Sequence, residues 1–579
     1  MTLVFNKPDN IAGYEYRFST YCETEDKKND MHVVKEYTYL KDGKRIPTMR
    51  LIPNYERQFW ITRPGFRNHN DKKEAEELSK LQSFTSTQSR LNDTISRALY
   101  GRPAINTNFR QLAKSQYLYG CDIKTSSLIK TDYEKEYPDF IFPKSSVAAL
   151  DIETDVVHGT DDIILITLSY GSKVATAINT AYLPDTNITR RQLDEFVEKN
   201  SKELYSKRGI EIEYIFCKTP GQCCNEIIKK AHEWKPDFIS IWNMNFDLPY
   251  IIRTLEKEGF SLKDVFSDPS VPYAYRHFNY IEGSAQKVTQ DGSITPLHWA
   301  DRWHVVDTPS SFYFIDAGCL YKRLRIAKGM EPSYALDFIL NKYLGEGKLK
   351  VDVLPLTAAK PVNPLRKQRE ITGLRWHQLM QAHHPVAYVI YNQYDCIRLE
   401  QLDENIQDIS SSFSTLCGIS DYSNFTSNPR KIVDDLHFFY QQHGKVIATT
   451  GSNMKDEKDE LVVSMRKWIV TLPAFMVDGD TGISVIKDLP SVKSMIRIHL
   501  ADLDIEGTYP TIEVVANISK ETTVRELSRI EGLTEDDQRM VGINLSGGHA
   551  NALEICQMTM GLATPEKWLE LYQASKHTL

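Results

Sequence analysis

The hydrophobic positions divide the chain into strand-like and helix-like segments. Apolar runs predict buried strands at residues 147–154, 163–169, 238–242 and 305–307. Helical patterns cover Pro249–Glu258, which is followed by Gly259, and Pro385–Ile406. Because the two patterns are mixed between about residues 146 and 405, we predict an α/β layer fold for this part of the chain.

Composition places the chain among ordinary globular proteins. At roughly 150 residues per domain, its 579 residues correspond to about four domains. The 28 Gly, 25 Pro and 11% aromatic residues exclude collagen-like and disordered chains. The sequence has no run of 18 apolar residues and no leader-like start, so we expect neither a membrane span nor a signal peptide. Nine cysteines without CxxC spacing predict reduced thiols and a cytoplasmic protein.

Charge adds a constraint on nucleic-acid binding. With 70 basic against 77 acidic residues the net charge is −7, which argues against coating nucleic acid by bulk charge but permits a local basic surface. Between residues 41 and 73, basic side chains alternate with Tyr55, Phe59, Trp60 and Phe66. This pattern suits single-stranded nucleic acid. It also suits a solvated face over a small β core, which is the interpretation we favour.

The predicted strand 147–154 ends in an acidic pair, Asp151 and Glu153. A period of two residues places both side chains on one face of the strand. Two adjacent carboxylates repel each other unless a cation or a proton lies between them. A divalent metal ion is the favoured explanation, and a pair of solvated acids at a strand end is the alternative.

Two more acidic positions follow along the chain. Asp247 lies at a strand-to-helix junction, before a helix that we expect to open at Pro249; a simple helix cap is the alternative there. Tyr391 and Asp395 are four residues apart on the predicted helix 385–406 and share a face. A tyrosine hydroxyl one turn from a carboxylate is suited to orient a metal-bound water, although such a pair alone is commonly ordinary surface or core.

Taken in order, Asp-x-Glu, Asn-x-x-Phe-Asp and Tyr-x-x-x-Asp resemble the motifs of the DEDDy class of two-metal 3′→5′ exonucleases. The resemblance implies that Asp151, Glu153, Asp247 and Asp395 hold two Mg²⁺ or Mn²⁺ ions about 3.5–4 Å apart, with Tyr391 as the fifth catalytic residue. Cations that prefer oxygen ligands need no His/Cys cluster.

Residues 504–511, Asp-Ile-Glu-Gly-Thr-Tyr-Pro-Thr, resemble the first polymerase motif of family B DNA polymerases, D-x-x-S-L-Y-P-S. The resemblance implies that Asp504 is catalytic and ligates the polymerase metal ions. The nucleotide-binding positions that it implies are Ile505, Glu506, Gly507, Thr508 and Tyr509. Gly507, Thr508 and Thr511 depart from the motif, which bears on the phosphate contacts more than on the metal ligand.

Further segments resemble the N-terminal part of the replicative DNA polymerases of T-even-like bacteriophages. They include Phe314–Lys322, Ser333–Leu336, Gly347–Lys350 and Asn428–Lys431. In that family a lysine that matches Lys348 approaches the scissile phosphate. The likeness implies a multidomain α/β chain with a β-rich template-side domain (1–145), an RNase H-like exonuclease domain (146–408), a connecting segment returning to the N-terminal domain (409–490) and part of a polymerase palm (491–579).

A complete family B polymerase also needs a fingers motif, K-x-x-x-N-S-x-Y-G, and a second palm carboxylate in D-T-D-S, and neither follows residue 511. Two-metal phosphoryl transfer needs at least two palm carboxylates. We therefore expect the N-terminal subunit of a split polymerase rather than a truncated one, acting in the cytoplasm of an infected bacterial host. Its implied partners are a second chain with fingers, remaining palm and thumb, primer-template DNA, dNTP, Mg²⁺ at a shared polymerase site, and a sliding clamp.

Two rival hypotheses stay open. A free-standing DEDDy exonuclease would use the same chemistry but needs neither the N-terminal region nor residues 504–511. A non-catalytic, polymerase-like DNA-binding scaffold would not need all four carboxylates and Tyr391, which are present.

Overall fold

The computed structural model describes residues 3–450 with internal gaps, and three short strands further along the chain. The gaps are residues 6–7, 71, 104–107, 143, 184–187, 289–292, 327–328, 352–372 and 413–427. The chain divides into two compact units, Met1–Met454 and Lys455–Leu579. It is a mixed α/β multidomain protein with a β-rich N-terminal region.

The N-terminal region is built mainly from antiparallel strands. Its described strands are β1 (Ile11–Glu23), β2 (Asp30–Leu40), β3 (Arg45–Pro53), β4 (Arg57–Thr62), β5 (Ala75–Glu77), β6 (Leu81–Ser86) and β7 (Leu118–Tyr119). Its helices are α1 (Leu91–Tyr100), α2 (Phe109–Leu112) and α3 (Thr125–Glu136), with 3₁₀ turns at Pro64–Phe66 and Leu78–Lys80. One sheet has the order β1-β2-β3 and a second the order β6-β4-β7.

The aromatic residues of the basic segment belong mainly to this region's core. Tyr55, Phe59 and Trp60 are all buried, whereas Phe66 is exposed. Phe59 packs with Leu91 and Ile95 of α1. Because buried rings cannot stack on bases, the interpretation of this segment as a β core is confirmed for these three residues.

A six-stranded mixed sheet forms the centre of the next region. Its strands are β8 (Val147–Thr154), β9 (Ile163–Tyr170), β10 (Lys173–Asn179), β11 (Glu211–Cys217), β12 (Phe238–Ile241) and β17 (Tyr313–Asp316). Their order is β11-β10-β9-β8-β12-β17. β8 is parallel to β12 and antiparallel to β9. Two short ribbons, β13 (Asn279–Ile281) with β16 (Val305–Asp307) and β14 (Gln286–Val288) with β15 (Ile294–Pro296), lie between β12 and β17 in the sequence.

Helices cover both faces of this sheet. They are α4 (Arg190–Asn200), α5 (Lys202–Arg208), α6 (Pro220–Trp234), α7 (Met244–Lys257), α8 (Leu262–Phe266), α9 (Ala317–Leu324), α10 (Leu336–Leu344), α11 (Leu374–His383), α12 (Pro385–Ile406) and α13 (Asp408–Ser412). Further 3₁₀ turns lie at Tyr273–Tyr275 and Trp299–Asp301. Ile227 of α6 packs with Leu168 on one face, whereas Tyr388 of α12 packs with Leu165 on the other, as strand alternation requires.

The predicted helix 385–406 is confirmed, but the predicted start of the preceding motif helix is wrong. α7 begins at Met244, so Asp247 lies in its first turn and Pro249 lies inside the helix. Pro249 has no N–H to donate to the carbonyl of Asn245, one turn earlier. At the start of the helix, Asp316 accepts a hydrogen bond from the Met244 N–H at 2.9 Å and so satisfies one of the first N–H groups, which have no acceptor within the helix. The predicted end is close, since α7 ends at Lys257 and Gly259 follows in a left-handed conformation.

After residue 427 the chain returns to the N-terminal region. α14 (Asn428–Gln442) is followed by β18 (Lys445–Ile447), which pairs antiparallel with β5. The Thr449 hydroxyl accepts a hydrogen bond from the Cys121 N–H at 3.0 Å. In the second unit the described strands β19 (Thr523–Val524), β20 (Ile543–Leu545) and β21 (Gly548–Ala550) form a small antiparallel sheet. None of the helices in the described part of the chain has the length and apolarity needed to cross a membrane.

Candidate active site

The acidic pair lies at the end of the strand that occupies the middle of the six-stranded sheet. Asp151 lies opposite Thr167 of β9 and Glu153 lies opposite Leu165, so both carboxylates are on one face of β8. β12 pairs with β8 only as far as Ala149, which leaves the last residues of β8 free on that side. The sheet therefore ends in a notch beside the two carboxylates.

Asp247 reaches this notch from the first turn of α7. Its carboxylate accepts a hydrogen bond from the N–H of Ile152, which lies between Asp151 and Glu153 in the sequence. Asp316, at the end of β17, is buried and accepts hydrogen bonds from the N–H groups of Met244 and Cys319 at 2.9 and 2.8 Å. Asp316 thus positions the strand-to-helix turn that carries Asp247.

One face of α12 lies over the acidic pair. Tyr388, Tyr391, Asn392 and Asp395 follow the i, i+3, i+4, i+7 spacing that places side chains on one helix face. The Tyr388 hydroxyl donates a hydrogen bond to Glu153 Oε2 at 2.6 Å, and the Asn392 amide donates one to Asp151 Oδ2 at 2.7 Å. The structure therefore brings Tyr391 and Asp395 to the strand that carries Asp151 and Glu153.

Lys348 is also brought to this site. Its ammonium group donates hydrogen bonds to Asp395 Oδ2 at 2.6 Å and to the Tyr391 hydroxyl at 3.1 Å. The Lys348 backbone N–H donates to Asp337 on α10 at 2.7 Å, which fixes the loop that carries the lysine. About a third of the Lys348 side chain is exposed, so its charge lies between the buried carboxylates and solvent.

The electrostatics of the site are those of an excess of negative charge. Burial raises the pKa of Asp151, and the carboxylates of Asp247, Glu153 and Asp395 raise it further. Burial and the Glu153 charge raise the pKa of Asp247 to about 8. Burial also raises the pKa of Asp395, although Lys348 opposes that effect. Among the residues that the structure describes, one ammonium group, that of Lys348, therefore faces four acidic side chains.

The residues present fit divalent cations in their chemistry. Asp395 Oδ1 and Asn392 Oδ1 are buried oxygens that have no hydrogen-bond partner among the described residues. Oxygen ligands and clustered carboxylates are what Mg²⁺ and Mn²⁺ prefer. The carboxylates of Asp151, Glu153 and Asp395 nevertheless accept hydrogen bonds from Asn392, Tyr388 and Lys348. In the described ranges, no three His, Cys, Asp or Glu groups lie close enough together to hold a metal ion as they stand.

Sequence reasoning missed four residues that organise this site. They are Asp316, His377, Tyr388 and Asn392. His377 Nδ1 lies 2.8 Å from the Tyr388 hydroxyl and 3.4 Å from Glu153. The spacing of Tyr388 and Asn392 relative to Asp395 was a usable signal, because polar positions at i, i+4 and i+7 on an apolar helix define a buried polar stripe.

The predicted polymerase site lies outside the described residues. This applies to Asp504 and to the nucleotide-binding positions Ile505, Glu506, Gly507, Thr508 and Tyr509. No protein-family model matches the chain, and no curated protein matches it.

Proposed function

We propose that residues 146–408 form a two-metal 3′→5′ exonuclease of the DEDDy type. We further propose that the chain is the N-terminal subunit of a family B DNA polymerase. The exonuclease proposal rests on one observation above all. Asp151, Glu153, Asp247 and Asp395 come from distant parts of the sequence, yet they lie close enough together for the other three carboxylates to raise the pKa of Asp151. The mixed sheet with helices on both faces supports an RNase H-like fold for this region.

The four carboxylates would hold Mg²⁺ or Mn²⁺, with Asp395 Oδ1 and the Asn392 amide oxygen available on the α12 side. When bound, two such cations neutralise charge at the scissile phosphate and lower the pKa of the attacking water. An uncompensated carboxylate cluster destabilises a fold, so its retention is typical of a functional site.

The chain's own groups supply positioning and charge. The Tyr391 hydroxyl, one helical turn from Asp395, would orient a water molecule near the acidic pair. Lys348 can exchange Asp395 for the phosphate of a DNA end, because its ammonium group is partly exposed beside the carboxylates. Tyr388 and Asn392 hold Glu153 and Asp151 in fixed orientations. Such groups reduce the reorganisation that the reaction requires.

The polymerase part of the proposal rests on the resemblance of residues 504–511 to the first polymerase motif of family B DNA polymerases. A palm strand without its sheet neighbours exposes unpaired backbone groups and apolar surface. A second chain that carries fingers, remaining palm and thumb would cover this surface after about residue 490. Co-purification with a second polypeptide and a gain of dNTP incorporation on adding it are the expected results, and a stable monomer without that gain contradicts this part alone.

The exonuclease proposal is tested with Asp151→Ala and Asp395→Ala. We expect Mg²⁺-dependent degradation of single-stranded DNA to fall about a thousandfold in each variant, because metal-assisted charge stabilisation contributes several kcal/mol. Circular dichroism should show an unchanged fold. The assay follows loss of a 5′-labelled oligonucleotide from its 3′ end.

Asp194→Ala is the matched control, since Asp194 is an exposed acid on α4 whose one ion pair within the described ranges is with Arg190 at 3.9 Å. It should degrade DNA at the rate of the unaltered chain. Degradation that survives in both site variants would show that the carboxylate assignment is wrong. Binding of DNA without degradation in the unaltered chain, with Mg²⁺ or Mn²⁺ present, would instead favour the non-catalytic scaffold.

A further inference from the structure

A cavity with a mixed polar and apolar lining lies in the N-terminal region and shares no lining residue with the carboxylate site. Its volume is about 830 Å³, which is within the range of small-molecule sites. It is lined by β1, β2, β4, the segment that opens α1 and the residues that lead into α3, with Asp307 of β16 at one side. Three features of its wall point to the same kind of ligand.

The first feature is a buried cation without an ion pair. Arg57 is 2% exposed, and its guanidinium donates to Gln88 Oε1 and to the Cys121 carbonyl, both at 2.9 Å. Its Nε has no partner, and it makes no ion pair with any residue that the structure describes. The groups that accept hydrogen bonds from Arg57 are therefore neutral oxygens, and the Asp122 carboxylate acts on its charge from further away. A buried positive charge so arranged is costly unless an anion approaches.

The second feature is a buried imidazole. His32 is 2% exposed, it lines the cavity, and both of its ring nitrogens lack a partner among the described residues. Burial lowers the pKa of His32 to about 3, so the ring is neutral at pH 7 and offers one donor and one acceptor. The Tyr21 ring lies beside it, with ring centroids 5.4 Å apart.

The third feature is the start of α3. This helix of 12 residues has no side-chain cap, and Thr125 and Ser126 of its first turn line the cavity. The first N–H groups of a helix have no acceptor within the helix and form the positive end of its dipole. Uncapped helix starts of this kind bind phosphate groups.

Each acidic residue of the wall has a hydrogen-bond or ion-pair partner of its own, although the Asp122 charge also acts on Arg57. Glu23 accepts a hydrogen bond from the Tyr21 hydroxyl at 3.0 Å. Asp122 accepts one from the Thr450 N–H at 3.0 Å, and Asp307 lies 3.4 Å from His277. The groups left without partners are thus a guanidinium Nε, a neutral imidazole and the opening turn of a helix.

We propose that this cavity binds a phosphate monoester, either free phosphate or the phosphate of a mononucleotide. The phosphate would lie beside the first turn of α3, next to the Thr125 hydroxyl, which is 3.4 Å from Arg57 Nη1. In a mononucleotide the planar base would lie toward His32 and Tyr21. The cavity is larger than a phosphate ion requires, which favours the mononucleotide as the source.

Isothermal titration calorimetry of the full chain in EDTA tests the proposal, because EDTA removes the cations that would support binding at the carboxylate site. The probes are inorganic phosphate, dAMP and deoxyadenosine. We expect dAMP to bind at least tenfold more tightly than deoxyadenosine. Binding of inorganic phosphate as tight as that of dAMP identifies free phosphate as the ligand, and weaker binding identifies the nucleotide. If neither phosphate probe binds, or deoxyadenosine binds as tightly as dAMP, the proposal is wrong.

Two substitutions of Ser126, which is itself buried, locate the site. Ser126→Asp adds an acid to the first turn of α3, which favours the helix dipole but repels a phosphate, so dAMP binding should weaken at least tenfold. Ser126→Ala should bind within threefold of the unaltered chain. Arg57→Met should abolish binding, whereas Arg97→Met, at an exposed arginine on α1, should not change it. Unchanged dAMP binding in Ser126→Asp would overturn the assignment.

Discussion

Two buried charged clusters in this protein are opposites in their electrostatics. The junction cluster joins the N-terminal region to the α/β region through Arg17, Lys35 and Asp237, with Lys35 Nζ 2.9 Å from one Asp237 oxygen and Arg17 3.4 Å from the other. Burial raises the pKa of Asp237, but the two cations outweigh burial and hold it below its usual value. In the carboxylate site, burial and a like charge raise the pKa of Asp247 to about 8.

The two clusters differ in whether the fold itself supplies cations to balance their buried carboxylates. Asp237 is completely buried and Asp247 nearly so, yet their pKa values shift in opposite directions because their neighbours carry opposite charges. Asp237 also accepts a hydrogen bond from the Ser146 N–H at 2.8 Å, so its cluster is satisfied within the fold. The carboxylate site lacks such balance, which is the pattern expected where a ligand completes it.

The largest expected effect on stability comes from a substitution in the junction cluster. Asp237→Asn leaves Lys35 and Arg17 without their shared carboxylate, and Lys35 has no exposed surface. Removing one partner of a buried ion pair costs about 3–5 kcal/mol, so we expect the free energy of unfolding to fall by about that amount. Urea unfolding at pH 7, followed by tryptophan fluorescence, measures it.

The double variant Lys35→Met/Asp237→Asn is the informative control, because it removes the buried charge that Asp237→Asn leaves unpaired. It should recover part of the lost stability. A loss below about 1 kcal/mol in Asp237→Asn would mean that the junction cluster is not the satisfied ion pair that its geometry indicates.

The opposite sign is expected for Asp247→Asn in the carboxylate site. A shift of one pKa unit corresponds to about 1.4 kcal/mol. At pH 7 the fold keeps the Asp247 carboxyl group largely protonated although it is ionised in the unfolded chain, and this costs free energy. Replacing it with the neutral Asn should therefore raise the free energy of unfolding by about 2–3 kcal/mol at pH 7 in EDTA. The folded pKa of about 8 lies above the unfolded value of about 3.9. The favourable contribution of Asp247 is therefore complete below about pH 4 and is lost as the pH rises through about 8.

Urea unfolding between pH 4 and pH 8 distinguishes the pH dependence of the two clusters' contributions to stability. The unaltered chain should lose stability across this range in EDTA, and Asp247→Asn should lose less. Asp237 has a lowered pKa, so its contribution is present above about pH 4 and is lost only as the pH falls through the lowered value. Identical pH dependence in Asp247→Asn and the unaltered chain would contradict the raised pKa of Asp247.

The local pattern of apolar residues was sufficient to predict some helices and strands but not others. The strands around Asp151 and the whole of α12 follow from apolar periodicity, and the structure has them. The start of α7 did not follow, because the group that satisfies Met244 is Asp316, on a strand far along the chain. The Lys35–Asp237 pair was equally hidden, since the partners lie about 200 residues apart and neither belongs to a motif.

The residues of the candidate site likewise include some that the sequence predicted and some that it did not. The four carboxylates, Tyr391 and Lys348 were predicted because the motifs and the resemblance name them. Tyr388 and Asn392 were not predicted, although their spacing places them on the predicted helix face. What the sequence alone could not supply is the hydrogen bonds that these residues make across to β8.

The smallest expected effect comes from substituting Tyr388, which holds one carboxylate of the carboxylate site in place. Its hydroxyl donates to Glu153 Oε2 at 2.6 Å and lies 2.8 Å from His377 Nδ1, and the side chain is completely buried. Groups that orient metal ligands typically change metal affinity 10- to 100-fold when removed. We expect Tyr388→Phe to weaken Mn²⁺ binding about tenfold, or about 1.4 kcal/mol, measured by calorimetry in the absence of DNA.

The readout of metal affinity separates positioning from loss of structure. Tyr321→Phe is a matched control, because Tyr321 is also buried and its hydroxyl also donates to a carboxylate, that of Glu331 at 2.8 Å, but Glu331 is not one of the site's carboxylates. It should leave Mn²⁺ affinity unchanged. Equal Mn²⁺ affinity in Tyr388→Phe and the unaltered chain would remove Tyr388 from the site, whereas absence of Mn²⁺ binding in the unaltered chain would count against the exonuclease proposal itself. A third result is that Tyr388→Phe keeps its Mn²⁺ affinity but Asp395→Ala loses it. The cation would then be bound by Asp395, and Glu153 would be a neighbour of the cation rather than a ligand.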